Sequence, residues 1–300
     1  MADQPVGEAE EDKAHEYGRP LSIEDASNRY FIHPLSDLIV NVGVKVGLSP
    51  NLVSLVGLGL GVLAAFLYYD LPEPLPVFGA FAAMLGWHIS DGADGRLARA
   101  TGQTSAFGRI LDGVCDHLVF SAVYLALAFQ IINAGAPITV WWLVVGAGLS
   151  HAVQAAGYEE RRQKYQRRLN GISREMIEEG LLTVDGKKSA LAAMYDWAQK
   201  AVSGRDYGLD EQLVGLRGTE DGDKKAQVLV AKTVPMVRAW GLLNANNRTF
   251  LIFFFALIGQ PIWYFIFEVL VLNLVLLWLL IAEKNSEVSI LEQIPSTEAA

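Results

Sequence analysis

The sequence predicts an all-α integral membrane protein, because it is strongly apolar, gathers its apolar residues in long runs and places its basic residues between those runs. Of its 300 residues, 52% are hydrophobic and only 19% are charged, and the mean hydropathy is +0.27. An ordinary soluble domain carries more charge than this. Since about 20 residues cross the hydrocarbon core of a bilayer, we expect six transmembrane helices. The six apolar segments are Asn51–Tyr69, Leu75–His88, Ile110–Ile132, Ile138–Gly157, Phe250–Gly259 and Ile262–Ala282.

These segments differ in how completely they could span a bilayer. The second and fifth are short, so their helices must continue into polar sequence, and the fifth helix is expected to begin near Trp240. The sixth is apolar except for Glu268 and Asn273, which an interhelix hydrogen bond or a functional role explains equally well. The same alternatives apply to His151 in the fourth segment. Ahead of the first segment, Ile32–Gly47 mixes apolar and polar residues and predicts an amphipathic helix along the cytoplasmic interface.

The placement of lysine and arginine predicts the orientation, because cytoplasmic loops of membrane proteins carry the excess of these residues. The loops at 70–74, 133–137 and 260–261 contain none of them. By contrast, Arg96–Arg109 contains three arginines, and the 158–238 stretch is rich in bases. Basic and non-basic loops therefore alternate, which predicts that both termini face the cytoplasm. The membrane is expected to be the inner membrane of a prokaryote.

The domain organisation follows from these segments. The first residues are acidic and rich in turn formers, which predicts disorder. The long stretch between the fourth and fifth segments predicts a helical lid or a mere linker, with a loop at Gly204–Asp223, where glycine and charge are abundant. The predicted parts are a disordered tail (1–28), the interfacial helix with four spans (29–157), a cytoplasmic helical insertion (158–239), two further spans (240–284) and a C-terminal tail (285–300).

Charge and cysteine content exclude some classes of protein. The net charge of −9 argues against a nucleic-acid partner. The single cysteine, Cys115, excludes an intrachain disulfide. The notable charges of the chain lie instead in the stretch Asp91–His117, which holds four aspartates and three arginines at the edge of an apolar segment.

Two helix faces within this stretch carry its distinctive residues. At about 100° per residue, most of the first set falls within an arc of about 100°, with Asp94 about 40° beyond its edge. Members of the second set are spaced by four residues and share one face. Residues 100–107 connect the two helices, so we expect antiparallel neighbours with converging acidic faces. The first set is Asp91, Asp94, Gly95, Ala98 and Arg99, and the second is Gly108, Asp112 and Asp116.

This arrangement of carboxylates indicates a metal site. Several ionised carboxylates cannot share a site without compensation, because like charges raise one another's pKa values. Ligands that offer only oxygen suit Mg²⁺ or Mn²⁺, and two such ions can clamp phosphoryl oxygens. Glycine lets a bulky group approach the backbone, and Arg99 can bind a phosphate with two parallel hydrogen bonds. The residues alone therefore favour metal-assisted transfer of a phosphate-bearing group at the cytoplasmic face.

The spacing also resembles a known signature. The pattern D-x-x-D-G-x-x-A-R, eight residues, then G-x-x-x-D-x-x-x-D is that of the CDP-alcohol phosphotransferases, or CDP-alcohol phosphatidyltransferases, and the chain matches every fixed position. The preceding LSPNLVSL, Leu48–Leu55, also resembles the family's entry into its first span. The resemblance covers residues 29–157 by motif and the last two spans by topology, while the long insertion is not part of it.

The resemblance implies an enzyme of phospholipid biosynthesis that transfers a phosphate-linked alcohol from a CDP-alcohol to a second alcohol and releases CMP. It implies that Asp116 is the general base and that two Mg²⁺ or Mn²⁺ ions bind the carboxylates. A homodimer is expected from the resemblance alone. The implied metal ligands are Asp91, Asp94, Asp112 and Asp116. The implied nucleotide-binding residues are Gly95, Ala98, Arg99 and Gly108, with the glycines leaving room and the arginine meeting the pyrophosphate.

Donor and acceptor remain open at this point. CDP-diacylglycerol with a polar acceptor (inositol, inositol phosphate, glycerol phosphate or serine) is favoured, because the bases near Arg161 and Arg248 could bind an anionic headgroup. A small CDP-alcohol donor with a lipid acceptor is the alternative. A divalent-cation transporter is a rival from another class, since intramembrane acids also mark ion paths. A catalytically inactive scaffold is a third possibility, against which the intact motif argues.

Overall fold

The computed structural model describes residues 20–71, 73–172 and 208–294, without the side chains of 106, 107 and 109–113. Every regular element in this part of the chain is helical, as the sequence predicts. A π-helical turn at Asn28–Ile32 precedes α1, and a second one, Glu268–Leu272, lies within α10. The helices are α1 His33–Val46, α2 Pro50–Tyr69, α3 Pro74–Ala100, α4 Ala106–Asn133, α5 Val140–Asn170, α6 Leu209–Leu216, α7 Glu220–Ala231, α8 Val234–Trp240, α9 Ala245–Leu257 and α10 Ile262–Leu291.

Three helical stretches among the described residues are long and apolar enough to cross a membrane. They are Pro50–Tyr69, Val114–Asn133 and Ile262–Leu291. Large apolar side chains are exposed along them, including Phe66 at 71% and Leu274 at 66%. Lipid contact explains such exposure, because a soluble protein rarely leaves broad apolar faces uncovered. The other three predicted segments lie in α3, α5 and α9, so six spans remain a prediction.

Hydroxyl and amide side chains fix where several helices begin. The N–H of Leu52 donates to the Ser49 hydroxyl at 3.2 Å, which starts α2 with Pro50 in its first turn. Ser105 caps α4 in the same way, accepting from the N–H of Gly108 at 2.9 Å. Such side chains satisfy N–H groups that have no partner within their own helix. The connection between α3 and α4 is therefore short, as predicted.

The expected start of the fifth span near Trp240 is wrong. Helix α8 ends at Trp240, a short 3₁₀ turn follows at Gly241–Leu243, and α9 begins only at Ala245. Asn244 causes this restart, because its side chain accepts a hydrogen bond from the N–H of Asn247 at 2.8 Å and so caps a new helix.

The predicted loop at Gly204–Asp223 is also wrong in its described part. Helix α6 occupies half of it, and α7 starts at Glu220. Leu209 and Leu213, one turn apart on α6, are buried at 0% and 2% exposure, which gives that short helix an apolar face to pack. The local abundance of glycine and charge is thus outweighed by burial of two leucines.

The described residues form two compact units. The membrane unit comprises Asp25–Ala152 and Asn244–Asn273, and it contains the motif. The insertion unit comprises the described parts of Met1–Glu24, Val153–Leu243 and Leu274–Ala300. Ile23 and Ile290 are both buried in the apolar core of the insertion unit.

The bounds predicted for the two tails stay a prediction. Helix α10 runs on to Leu291, past residue 285. Residues 1–19 and 295–300 of those tails, and 173–207 of the insertion, lie outside the described residues.

Helix α2 organises the membrane unit because it packs closely against both motif helices. A Cβ atom built on Gly61 would overlap a methyl carbon of Val119 on α4. A Cβ atom on Gly57 would lie 3.0 Å from the Cβ of Ser90 on α3. Real Cβ contacts are longer than the first of these, so glycine is required where α2 meets α4. The two motif helices are thus held against one shared helix.

Candidate active site

The last turns of α3 carry the first predicted set of site residues. Asp94 is buried at 5% exposure, while Asp91 and Gly95 are half-buried. Ala98 is half-buried, and Arg99 lies on the exposed side at the end of the helix. The end of α3 thus carries one half-buried and one buried carboxylate, followed by the half-buried Ala98 and the exposed Arg99.

Asp94 is held by hydrogen bonds at both carboxylate oxygens. The hydroxyl of Ser54, a residue of α2, donates to Oδ2, and the backbone N–H of Gly95 donates to Oδ1 at 2.5 Å. Ser54 itself is buried at 7% exposure. Sequence reasoning did not select Ser54 as a site residue, although it lies within the LSPNLVSL stretch that drew attention to this region.

Arg99 lies over Gly95. A Cβ atom on Gly95 would be 3.5 Å from Nη1 of Arg99. Because glycine has no side chain, the guanidinium can pack close to the helix backbone there. Partial burial and the neighbouring Arg96 lower the pKa of Arg99, and Asp94 acts in the opposite direction. An arginine remains protonated in proteins after such changes, so Arg99 supplies a positive charge beside the carboxylates.

The second set lies on the first turns of α4. A Cβ atom on Gly108 would lie 3.2 Å from the Ser105 hydroxyl and 3.5 Å from Oδ1 of Asn51, the second residue of α2. Asp116 is half-buried two turns further along α4. Asp112 belongs to the same helix, but its side chain is outside the described part. Asn51 is a second residue that sequence reasoning did not single out.

The structure therefore brings the start of α2 to both motif helices, through Ser54 on Asp94 and Asn51 beside Gly108. Among the described side chains, no group of three or more His, Cys, Asp or Glu residues is arranged to hold a metal ion. Since Asp112 is not among them, convergence of the two carboxylate rows on metal stays a prediction.

Helix α1 is fastened to α3 beside the site. Arg96 donates to Asp37 at 2.6 Å, and the hydroxyl of Ser36 donates to the carbonyl of Ile89 at 2.8 Å. A Cβ atom on Gly92 would lie 2.7 Å from that hydroxyl, so the two helices cross closely there. Arg96, the other motif arginine with a described side chain, thus serves to attach α1 at the protein surface.

A buried polar network lies deeper in the membrane unit. Tyr124 of α4 bonds His151 at 3.1 Å and Tyr264 at 2.5 Å, and Tyr264 donates to Glu268 at 3.2 Å. Glu268 in turn pairs with Arg248 at 3.4 Å, and these two side chains are 0% and 1% exposed. Polar side chains inside a membrane segment are expensive unless they find such partners.

Interhelix hydrogen bonds account for the other polar residues in this region. Nε2 of His88 lies 2.8 Å from the Thr249 hydroxyl, which joins α3 to α9. The side-chain amide of Asn273 donates to the Ser150 hydroxyl at 2.9 Å. For Asn273, His151 and Glu268 the hydrogen-bonding explanation offered by the sequence is therefore the one that their contacts support.

The basic residues after the fourth segment are largely buried in the insertion unit. Arg161 donates to Glu283 at 2.9 Å and lies over the ring of Trp240 at 4.0 Å. Lys164 and Arg168 both bond Glu287, at 2.8 and 2.7 Å. Burial opposes ionisation, but Glu287 and Asp210 raise the pKa of Arg168 above its ordinary value.

These pairings remove the reason for expecting Arg161 and Arg248 to bind an anionic headgroup. Arg161 is 3% exposed and Arg248 is 1% exposed, and each already faces a carboxylate. Neither arginine therefore supports an anionic acceptor.

Comparison with known proteins agrees with the motif. Residues 48–171 match the family model of CDP-alcohol phosphatidyltransferase. The matched region begins at Leu48, where LSPNLVSL starts, and it contains all of α2, α3 and α4, from which the described site contacts come.

Curated relatives point in the same direction. A phosphatidylinositol phosphate synthase of Mycobacteroides abscessus is 30% identical over 112 residues, which is 37% of this chain and 44% of that protein. An archaetidylinositol phosphate synthase of Pyrococcus horikoshii is 33% identical over 85 residues, 28% of this chain and 43% of that protein. A bifunctional IPC transferase and DIPP synthase of Thermococcus kodakarensis is 31% identical over 134 residues, 45% of this chain and 28% of that protein.

The aligned region spans less than half the length of these curated relatives. The region that the family model matches, residues 48–171, includes the complete aspartate motif and α2. Residues 48–171, less than half of the chain, are thus similar to the CDP-alcohol phosphatidyltransferase family.

Proposed function

We propose that the chain is an enzyme that transfers the phosphatidyl group of CDP-diacylglycerol to an inositol phosphate and releases CMP. The observation that carries this proposal is the intact motif of eight fixed positions inside the region that matches the family. The structure supports it by placing buried Ser54 and half-buried Asn51 beside residues of both halves of that motif.

The choice of acceptor rests on the relatives. The mycobacterial and Pyrococcus proteins have different lipid parts in their names, phosphatidyl and archaetidyl, but share inositol phosphate. We therefore assign inositol phosphate to this chain as acceptor, in preference to inositol, glycerol phosphate or serine. A small CDP-alcohol donor with a lipid acceptor remains the alternative within the family.

The donor set suits Mg²⁺ or Mn²⁺. The carboxylates of Asp91, Asp94, Asp112 and Asp116 would hold two such ions, which when bound neutralise the charge of the transferring phosphoryl group. Oxygen ligands without sulfur or imidazole fit these hard cations. Asp94 accepts a hydrogen bond at each of its carboxylate oxygens, and these bonds orient it as a proposed ligand.

The reaction then follows from the residues. Asp116 accepts the proton of the acceptor hydroxyl as its oxygen attacks the β-phosphorus of the donor. A new bond forms between that oxygen and phosphorus, and the pyrophosphate P–O bond breaks to release CMP. Arg99 binds the pyrophosphate, while Gly95, Ala98 and Gly108 leave room for the cytidine nucleotide.

A lipid donor explains why this site lies at the end of apolar helices. We propose six spans with both termini and the motif on the cytoplasmic side, in the inner membrane of a prokaryote, and a homodimer. The alternation of basic and non-basic loops supports this topology.

The test measures CMP release by the purified full-length chain with a panel of donors and acceptors, with Mg²⁺, Mn²⁺ or a chelator. We expect turnover with CDP-diacylglycerol and inositol phosphate, and loss of about 10²- to 10⁴-fold in Asp116→Asn, since the base is removed without a change in shape. Asp70→Asn, at the other end of α2, is the control and should keep full activity.

Other results of this experiment would each favour a different substrate pair, a different general base or a different class of protein. Turnover only with a small CDP-alcohol and a lipid acceptor would overturn the proposed substrates but keep the reaction class. Full turnover in Asp116→Asn would refute the general base. Absence of CMP release together with Mn²⁺ flux into proteoliposomes would favour the cation transporter.

A further inference from the structure

We propose that Ser54 of α2 is a positioning residue that holds the Asp94 carboxylate in the orientation needed to bind a divalent cation. The inference rests on the proposed metal-dependent function and deepens it. It assigns a role to a helix that contributes none of the motif's own residues.

The contact joins two buried side chains that are far apart in sequence. Ser54 is 7% exposed and Asp94 is 5% exposed, and the serine hydroxyl donates to Oδ2 of the carboxylate. The same carboxylate accepts the N–H of Gly95 through Oδ1. Because both oxygens are engaged by neighbouring groups, the plane of the carboxylate is fixed before any ligand arrives.

The hydroxyl has a competing acceptor, which makes the assignment testable. Ser54 Oγ also lies 3.3 Å from the carbonyl oxygen of Pro50, one turn earlier in its own helix. A hydroxyl carries one proton, and a charged carboxylate forms a stronger hydrogen bond than a neutral carbonyl. The proton therefore belongs to the bond with Asp94, whereas the bond to Pro50 alone would be an ordinary helix contact.

The packing of α2 sets the position of Ser54. One turn further along α2, Gly57 meets Ser90 of α3 at the 3.0 Å approach described above, and Ser90 lies one turn before Asp94. The Ser49 cap fixes the other side by starting α2 just before Ser54. Ser54 thus lies between the Ser49 cap and the close contact at Gly57, and these two contacts of α2 place its hydroxyl beside the carboxylate of Asp94.

Groups that orient a metal ligand influence metal affinity. Removal of such a hydrogen bond typically weakens metal binding about 10- to 100-fold, because the ligand must then be ordered when the ion binds. A merely structural serine would instead change thermal stability without changing metal affinity.

The experiment measures Mn²⁺ binding to the purified full-length chain in detergent, by electron paramagnetic resonance of the free ion and by calorimetry, without substrate. The variants are Ser54→Ala, Ser54→Thr, Asp94→Ala and Ser90→Ala. Ser90 is the matched control, because it is a buried serine of the same interface whose hydroxyl bonds the carbonyl of Gly86 in its own helix. Thermal unfolding without metal and the KM and kcat of CMP release are recorded for each.

We expect Ser54→Ala to weaken Mn²⁺ binding about 10- to 100-fold and to lower kcat at limiting metal more than it raises KM for the donor. Ser54→Thr, which keeps the hydroxyl, and Ser90→Ala should bind Mn²⁺ like the wild type. If Ser54→Ala does not fold, Ser54→Cys provides the same test, because a thiol of similar size is a weak donor.

Two results would overturn the inference. Wild-type Mn²⁺ affinity in Ser54→Ala or Ser54→Cys, with affinity lost in Asp94→Ala, would refute the role of Ser54 and leave the proposed function intact. Wild-type affinity in Asp94→Ala would refute Asp94 as a ligand, and with it both the metal assignment and the positioning role.

Discussion

At the residue scale, Arg248 and Glu268 form an ion pair that is buried in the membrane unit. Both side chains are almost fully buried, in helices that lie at or within apolar segments. Removing two charges from water costs several kcal/mol for each ion, and their attraction offsets this only with good geometry and further hydrogen bonds. Tyr264 and the carbonyl of Asn244 supply such bonds.

We therefore predict that Glu268→Leu lowers the free energy of unfolding by about 3–5 kcal/mol, because it leaves a buried guanidinium without its carboxylate. The double variant Glu268→Leu with Arg248→Met should recover most of that loss. Denaturation of the purified chain in mixed micelles provides the measurement. Equal stability of Glu268→Leu and wild type would contradict the prediction. A stable but inactive double variant would indicate that the pair is retained for function.

The sequence predicts that the motif lies on two helices joined by a short connection, because the 3.6-residue period determines which side chains of one helix share a face. It does not predict the partners of Asp94 or Tyr124. Ser54 and Tyr264 are separated from them by 40 and 140 positions, and only helix packing decides such contacts. A buried serine is common enough that its type gives no signal.

At the element scale, the two faces of α2 differ in how well they tolerate a larger side chain. Gly61 meets Val119 at a distance that admits no further atom, whereas Gly59, two positions earlier, has nothing within 4 Å of a built Cβ. The two glycines have the same helix propensity, so any difference between their substitutions reports packing rather than backbone preference.

We predict that Gly61→Ala destabilises the chain by about 1–3 kcal/mol, because α2 and α4 must move apart. Gly59→Ala should be neutral or stabilising by up to about 1 kcal/mol, since alanine favours helix more than glycine does. Thermal unfolding in detergent measures both. Val119→Ala should restore part of the loss in a double variant, and equal stability of the two single variants would refute the packing argument.

Helix boundaries were harder to predict than helix existence. The start of α7 is marked by a helix cap, in a stretch whose glycine and charge content is typical of a loop. Thr219 accepts a hydrogen bond from the N–H of Gly222, and acidic residues occupy the first turn. A capping threonine followed by Glu220 and Asp221 is typical of a helix start. In α8 and α9 the apolar pattern runs on through Asn244, and only that residue's capping bond separates the two helices.

At the scale of the whole molecule, the proposed orientation of the chain in the membrane rests on loops that contain no lysine or arginine. The short connections at either end of α4 should lie on opposite sides, because α4 contains a stretch apolar and long enough to span. The chain is well suited to a labelling test, since its single cysteine, Cys115, is buried and can be replaced by serine.

We predict that in a Cys115→Ser background, Gln103→Cys reacts with a membrane-impermeant maleimide only in inverted vesicles. Ala134→Cys should react only in right-side-out vesicles. Both positions are exposed in the structure, so a failure to react reports the membrane barrier rather than burial. Detergent-solubilised samples, in which both should react, provide the control. Reaction of both residues from one side would contradict the span through α4.

The two-sided character of α2 also constrains how the chain can change over evolutionary time. Its inner side must accommodate Val119 at Gly61, Ser90 at Gly57 and Asp94 at Ser54 simultaneously. Its outer side offers exposed Val56, Leu63 and Phe66, for which any apolar residue of fitting length would serve. We therefore expect substitutions in α2 to accumulate on its exposed face. The residues on its inner face are restricted by the side chains of the site that they contact.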